Sequence, residues 1–308
     1  MFAKVSTIIP AFNAERTITH TIDSALAQEW DSHEVVVVND GSTDSTATIL
    51  ESYGKRICVI TQPNRGSAVT RSIGVSQSSG AYIAFLDSDD IWLPGKLTRM
   101  ISALEKNPLA SLAFSEYGYV SETGMDAGES SIGHAPSMEE LMERPPPILP
   151  STWVVRRTMF ERSGGFCEAF EGAEGFEHCW TLMLLREIGE FEYIPEKLTL
   201  YTVGDSSKSA DKYRRGLPIF IDLVNRRYGA RGRILIRNSK NLQCRWMLSK
   251  VAHQMNCGDR LGALATLARI ARLRPAYFFS AEFIDRLFLP QNLKRARDLT
   301  AALRRARD

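Results

Sequence analysis

The sequence predicts an α/β fold built on a mostly parallel sheet with helices over both faces. Between residues 4 and 115, short and nearly continuous apolar runs alternate with segments of helical spacing. Runs apolar throughout suit strands buried on both faces, the condition of a parallel sheet between helical layers. Polar clusters follow three of the runs, and the carboxyl ends of such strands are where open α/β sheets present their ligands.

The elements follow in order. Residues 5–9, Val-Ser-Thr-Ile-Ile, read as a buried strand closed by Pro10. Over 14–28, Ile18, Ile22, Ala25 and Leu26 share one helical face. Residues 34–38 hold four consecutive valines and lead into Asn39-Asp40-Gly41-Ser42. A helix is expected over 45–53, a strand over 57–60 and a helix over 66–77. The strand expected at 81–86 ends in Asp87-Ser88-Asp89-Asp90. Pro94 suits the start of a helix at 96–106, because a first-turn N–H has no helical acceptor to lose. Residues 121–150 are irregular by pattern, with Asp126, Glu129, His134 and Pro145-Pro146-Pro147, and long loops of this kind often carry function. A return strand at 151–155, a helix at 179–188 and an extended segment at 191–194 complete a first domain, taken as 1–225. Residues 226–308 read as a helical extension, rich in alanine and leucine at 261–273 and amphipathic and basic at 293–307. No internal repeat is present.

Composition sets further bounds. The chain has 308 residues and is 44% hydrophobic, enough for a substantial core. No apolar run reaches the ~20 residues of a membrane-spanning helix. The first residues lack a signal-peptide pattern, so a cytoplasmic location is expected. Cys58, Cys167, Cys179, Cys244 and Cys257 are odd in number and form no Cys-x-x-Cys pair, which argues against a disulfide framework or a zinc site. The net charge of +2 conceals an asymmetry: of 38 basic and 36 acidic residues, 19 and 5 lie in 226–308, leaving 19 and 31 ahead of them. A basic extension points to an anionic partner, either a peripheral contact at the inner face of an anionic membrane or an acidic protein. It reads equally as a packing or dimerising extension. No nucleic-acid motif accompanies the charge.

Three carboxylates in Asp87-Ser88-Asp89-Asp90 repel one another unless a cation or good donors offset them. Mg²⁺ and Mn²⁺ prefer oxygen ligands, and Mg²⁺ is often held by one or two carboxylates plus substrate phosphates. The same cluster also fits a solvated turn or a helix cap. It is not an EF-hand, since Ile91-Trp92-Leu93 supplies neither the glycine nor the later ligands. Asp40 can accept hydrogen bonds from a base or ribose, or serve as a turn aspartate beside Ser42 and Asp44.

Taken together, these segments resemble glycosyltransferase family 2. The resemblance is carried by Val5–Glu15 (read Val-Ser-Thr-Ile-Ile-Pro-Ala-Phe-Asn-Ala-Glu), by 35–44, by Asn64-Arg65-Gly66 with 70–74, by 80–97 and by Gly164-Gly165-Phe166. It covers roughly residues 4–205, and the order and spacing of the pieces make it specific. It implies a GT-A fold and inverting transfer from a nucleotide sugar, usually a UDP-sugar, in cell-surface polysaccharide or glycolipid synthesis. By the same resemblance Phe12 lies against the nucleobase, with Pro10, Ala11 and Glu15 in the donor site. Asp40 hydrogen-bonds the base and Arg71 lies near the nucleotide. Asp87 and Ser88 lie by the ribose or metal, and Asp89 binds the Mn²⁺ or Mg²⁺ that bridges the diphosphate. The acceptor is a saccharide or a lipid-linked saccharide.

The family's general base is the aspartate of a Glu-Asp pair at a helix start, where this chain has Glu177-His178. His178 can be the base, since imidazole titrates near neutral pH. Glu177 can replace it, Glu174 can be the base under a shifted match, or the chain can bind donor without turnover. After the last core strand the family often has a basic or aromatic residue near the diphosphate. Here 201–209 offers only Lys208, which also reads as a solvated loop lysine. A nucleotidyltransferase is disfavoured because 10–15 lacks a glycine- and arginine-rich phosphate loop.

Overall fold

The four apolar runs expected as strands are four adjacent strands of one sheet. The structure is a computed structural model. It describes residues 3–121, 126–130, 132–143, 146–173, 176–203, 207–229, 244, 247–248, 251 and 260–276. The chain forms two compact units, Met1–Arg227 and Tyr228–Asp308.

In the first unit the order is β1 (Val5–Ala11), α1 (Ile18–Leu26), β2 (His33–Asn39), α2 (Thr46–Ser52), β3 (Cys58–Thr61), α3 (Ser67–Ser76), β4 (Tyr82–Phe85), β5 (Ile91–Trp92) and α4 (Lys96–Lys106). Then come β6 (Ala110–Ser121), β7 (Asp126–Glu129), α5 (Met138–Glu143), β8 (Trp153–Arg156), α6 (Arg157–Ser163), α7 (Glu177–Ile188), β9 (Glu190–Val203) and α8 (Ser207–Tyr228). Among the described residues the sheet runs β3-β2-β1-β4-β8-β6-β9-β5, with β7 on β6. β3, β2, β1 and β4 are mutually parallel, and β8 lies antiparallel to both β4 and β6. β6 and β9 therefore point the same way as the first four, and the carboxyl ends of all six strands face one rim.

The valine and isoleucine runs are buried on both sides of this sheet. Val5, Ile9, Val35, Val37, Tyr82, Ala84 and Leu86 share one core with Ile18, Ile22 and Ala25 of α1 and Leu97, Met100, Ile101 and Leu104 of α4. Ile8, Val36, Val38, Ile83 and Phe85 are equally buried on the alternate positions. There α3 approaches so closely that a Cβ on Gly74 would lie 2.4 Å from Ile8 Cγ2. Each buried Ile or Val contributes about 1.5–3 kcal/mol.

Several elements differ from expectation. β3 is an edge strand, and Cys58 and Val59 on it are exposed although the segment is apolar. The span 121–150, irregular by pattern, holds β7 and α5. Glu116 pins the connection by accepting from the Ser130 hydroxyl, Ile132 N, Gly133 N and the Tyr193 hydroxyl. The extended segment expected at 191–194 belongs to the 14-residue β9.

In the second unit α9 (Arg260–Leu273) is described. Cys244, Leu248, Val251, Ala263 and Ile270 form its buried cluster. The amphipathic segment expected at 293–307, and Cys257, lie outside the described residues. Among the described residues no helix is long and apolar enough to cross a membrane.

Candidate active site

Parallel pairing sets Pro10 beside Val38, Ala11 beside Asn39 and Ile8 beside Phe85, so three polar clusters meet at the rim. Main-chain bonds lock them: Asp40 N donates to Ala11 O at 2.8 Å and Leu86 N to Ile8 O at 3.0 Å. The β1–α1 and β2–α2 loops are then zipped together. Asn13, held at a φ of 50°, accepts from Thr43 N at 2.8 Å, and Asn13 N donates to Ser42 Oγ. The Glu15 carboxylate accepts from Ser45 N at 2.9 Å, while Glu15 N donates to Asp44. Glu15 is thus engaged with the neighbouring loop. Phe12, 46% exposed, projects from the rim between these loops.

Asp40 is buried, and its carboxylate accepts from Gln62 Nε2 at 2.7 Å, Arg65 N at 2.9 Å and Gly66 N at 2.9 Å. It therefore holds the Asn64-Arg65-Gly66 loop that feeds α3. Gly66 has a φ of 85°, and a Cβ on it would lie 3.1 Å from Gly172 N. Arg65 reaches Glu171 at 3.0 Å, so this loop also abuts the chain leading towards α7.

Arg71 is the centre of the site. It projects from α3, is nearly fully buried, and bridges two carboxylates: Asp87 Oδ1 at 2.5 Å and Glu177 Oε1 at 3.3 Å. Its guanidinium carbon lies 5.5 Å from the centroid of the Phe166 ring, a cation–π contact. Phe166 is fixed edge-on against Phe85 at 5.1 Å. Asp87 is held again from behind, its N–H donating to Ser151 Oγ at 3.0 Å.

Glu177 and His178 open α7, where the helix end favours negative charge. Both are buried, and His178 Nδ1 lies 3.9 Å from Glu177 Oε1, an ion-pair contact too long for a hydrogen bond. Burial alone raises the Glu177 pKa, but His178 and then Arg71 overcome it and hold the carboxyl at about 2. Burial lowers the His178 pKa, but the Cys179 side chain and the Glu177 carboxylate outweigh it and raise it to about 10. The imidazole is therefore protonated at neutral pH. Glu174 and the Lys208 side chain lie outside the described residues.

The acidic loop separates its carboxylates. Asp87 faces Arg71, and Asp90 is fully buried with Oδ1 accepting from Thr202 N at 3.0 Å. Burial, then the charges of Asp89 and Asp87, push the Asp90 carboxyl well above the usual range. Beneath the loop, Lys96 is buried with Nζ 3.1 Å from Thr152 O, and burial depresses its pKa to about 7. Asp89 is the exposed member. Among the described residues no three His, Cys, Asp or Glu side chains converge as a metal cage. One exposed carboxylate fits a cation that takes its remaining ligands from a diphosphate and water, the usual manner of Mg²⁺ with phosphorylated substrates.

Reading the sequence pointed to Asp40, Arg71, Asp87, Asp89, Glu177 and His178, and the fold brings their segments to one rim. It assigned no role to Gln62, Ser151, Phe166 or the threonines that hold the acidic loop. The bonds of these residues join positions far apart in the chain and leave no periodic trace.

The profile of Glycosyl transferase family 2 matches residues 6–164, more than half of the chain. An uncharacterized glycosyltransferase of Rickettsia prowazekii is 41% identical over 102 residues, which are 33% of this chain and 32% of that protein. The UDP-Glc:alpha-D-GlcNAc-diphosphoundecaprenol beta-1,3-glucosyltransferase WfgD of Escherichia coli is 42% identical over 108 residues, 34% of this chain and 43% of that one. The chain thus spans less than half of each of these relatives. Among solved structures, S. aureus TarS in complex with UDP-GlcNAc superposes with a TM-score of 0.58 at 20% identity, covering 72% of this chain and 67% of that chain. That likeness establishes a shared fold.

Proposed function

The chain belongs to glycosyl transferase family 2, and from that premise we propose that it moves a sugar from a nucleotide-sugar donor, a UDP-sugar, to an acceptor hydroxyl with inversion at the anomeric carbon. The observation that carries the reading is the buried Arg71 bridge. It ties Asp87, at the end of β4 beside the exposed Asp89, to Glu177 at the start of α7. Donor-side and acceptor-side chemistry are thereby held one side chain apart.

The uridine nucleotides named for TarS and for the E. coli relative support a UDP-sugar donor. The diphosphoundecaprenol named for the latter supports a lipid-linked saccharide acceptor and a role in surface polysaccharide or glycolipid synthesis. Phe12 offers the base an apolar face, and Asp40 keeps the 64–66 loop in place beneath it. Asp89 would hold a Mn²⁺ or Mg²⁺, which would supply positive charge against that building on the leaving nucleotide. His178, in its neutral form, takes the proton of the acceptor hydroxyl as its oxygen bonds the anomeric carbon and the bond to the diphosphate breaks. Glu177 orients the imidazole and stabilises its charged form. A second reading, donor binding without turnover, draws on the protonated state of His178 at neutral pH. The basic extension supports a peripheral contact with an anionic membrane, where a lipid-linked acceptor resides.

The test is UDP binding and UDP-sugar hydrolysis with and without Mn²⁺, for the parent and Asp89→Ala. Mn²⁺-dependent binding and turnover in the parent, both lost in Asp89→Ala, are expected. Binding that survives while no sugar donor is ever turned over selects the second reading. A parent that binds no nucleoside diphosphate with any divalent cation overturns both.

A further inference from the structure

One face of α1 is polar where a helix covering a sheet is ordinarily apolar. Thr17, Thr21, Ser24 and Gln28 are spaced at four, three and four residues, so they share a stripe along the helix and its flanking residues. Each bonds the segment that follows β4, in register. Thr17 Oγ1 donates to Ser88 O at 2.8 Å and Thr21 Oγ1 to Asp90 O at 2.9 Å. Ser24 Oγ accepts from Trp92 N at 3.1 Å, and Gln28 Nε2 donates to Leu93 O at 3.1 Å. From the other side, the Thr202 hydroxyl of β9 donates to Asp89 O while Thr202 N donates to Asp90 Oδ1. Asp90 N closes a turn on Asp87 O at 3.0 Å.

Every main-chain carbonyl from Asp87 to Asp90 is therefore satisfied, three of them by threonine hydroxyls from elements remote in sequence. The loop is clamped between α1 and β9. Thr21 is fully buried and Thr202 nearly so, which places these bonds where water cannot substitute for a lost hydroxyl. The same helix α1 begins just beyond Phe12 and Asn13, the loop that would meet the nucleobase. The start of α1 thus lies beside both that loop and the acidic loop.

We propose that Thr17, Thr21 and Thr202 are positioning residues: they fix the backbone of 88–90 so that the Asp89 carboxylate is presented, preorganised, to a divalent cation on a nucleoside diphosphate. The proposal rests on the donor-binding reading above. It assigns a task to side chains that touch neither donor nor acceptor. Supports of this kind around a metal ligand typically contribute roughly 10–100-fold in metal affinity.

The experiment uses the full chain and reads free Mn²⁺ by its electron paramagnetic resonance signal at saturating UDP, with thermal unfolding recorded in parallel. Thr21→Val and Thr202→Val, close in shape but lacking the donor, are expected to weaken Mn²⁺ binding by about tenfold or more. Thr21→Ser and Thr202→Ser, which keep the hydroxyl, are expected to restore it. Ser24→Ala, which breaks a bond of the same stripe beyond the acidic loop, is expected to lower the unfolding temperature and leave Mn²⁺ affinity unchanged. If Thr21→Val does not fold, the half-buried Thr17→Val decides in its place. Folded valine variants that bind Mn²⁺ as the parent does overturn the positioning role alone. Equal weakening in Ser24→Ala also overturns it, by reducing the effect to general stability. A parent that takes up no Mn²⁺ with UDP overturns the donor-binding reading, and this proposal with it.

Discussion

Replacing Arg71 by methionine removes the one cation shared by Asp87 and Glu177 while keeping much of the apolar stem. Its consequence is set by unequal burial. Asp87 has 26% of its side chain exposed and can regain water, whereas Glu177 has 4% and cannot. Glu177 is held at about 2 against an ordinary 4.5, a difference worth about 3 kcal/mol at neutral pH. His178 is the larger source of that depression and Arg71 the smaller. Removing one partner of a buried pair costs about 3–5 kcal/mol in general. With His178 still in place, Arg71→Met is expected to cost about 2–4 kcal/mol at pH 7, a fall in Tm of roughly 5–15 °C for a unit of this size. A depressed carboxylate contributes stability above its ordinary pKa and loses it as pH falls through the folded value. The gap between parent and variant should therefore be full at pH 6–7 and narrow between pH 4.5 and about 2.

Thermal unfolding across that range, for Arg71→Met and for Arg71→Met with Glu177→Gln, decides the matter. The second change removes the stranded charge, so the double variant should recover about half of the loss. An Arg71→Met protein within about 0.5 kcal/mol of the parent at pH 7 would refute the bridge as a buried pair. A double variant as unstable as the sum of its two changes would refute the coupling between the two residues.

Other consequences are simpler to check. A base whose pKa is raised to about 10 is unprotonated only in alkali, so turnover of a UDP-sugar should climb about tenfold per pH unit from pH 7 towards pH 10; His178→Asp should retain turnover and flatten the pH–rate profile above about pH 6, and an unchanged profile would remove His178 from the reaction. Gly80→Ala sets a Cβ 2.5 Å from Ser6 N and 2.8 Å from Val5 C; backbone cannot yield to it, and a loss of about 2 kcal/mol or more is expected in urea unfolding. With 19 basic against 5 acidic residues in 226–308, the full chain should sediment with anionic vesicles at low salt and release them at about 0.5 M salt; binding equal on neutral vesicles would contradict the electrostatic reading.

How much of this was legible in the sequence depends on how local the cause was. Strands β1, β2 and β4 could be read because burial on both faces writes one continuous apolar run, and α1 because its apolar positions recur at helical spacing. β3 was legible as a strand but not as an edge, since Cys58 and Val59 are apolar and yet exposed. β9 was seen only in part. Glu190, Glu192 and Lys197 interrupt its pattern, and all three polar side chains are used at a distance: Glu190 and Glu192 accept from Asn107, and Lys197 donates to Glu129. Thr17 and Thr21 carry no role in the sequence reading, because a hydroxyl bonded to a carbonyl 69 or 71 positions away leaves no mark on spacing.

Arg71 shows what the sequence pattern leaves open even where it points to the right residue. A basic residue near a nucleotide site invites a direct contact with the donor. In the fold that cation already faces two carboxylates and the ring of Phe166. The charge of Arg71 is thus engaged by Asp87 and Glu177 rather than left to a donor's diphosphate. A diphosphate brought against Asp89 would meet net negative charge unless a cation came with it. The same bridge that ties α7 to the end of β4 therefore supports the proposal that a divalent cation accompanies the donor. On that proposal Arg71 is tied, through charges alone, to any Mn²⁺ or Mg²⁺ dependence that the Asp89→Ala comparison measures.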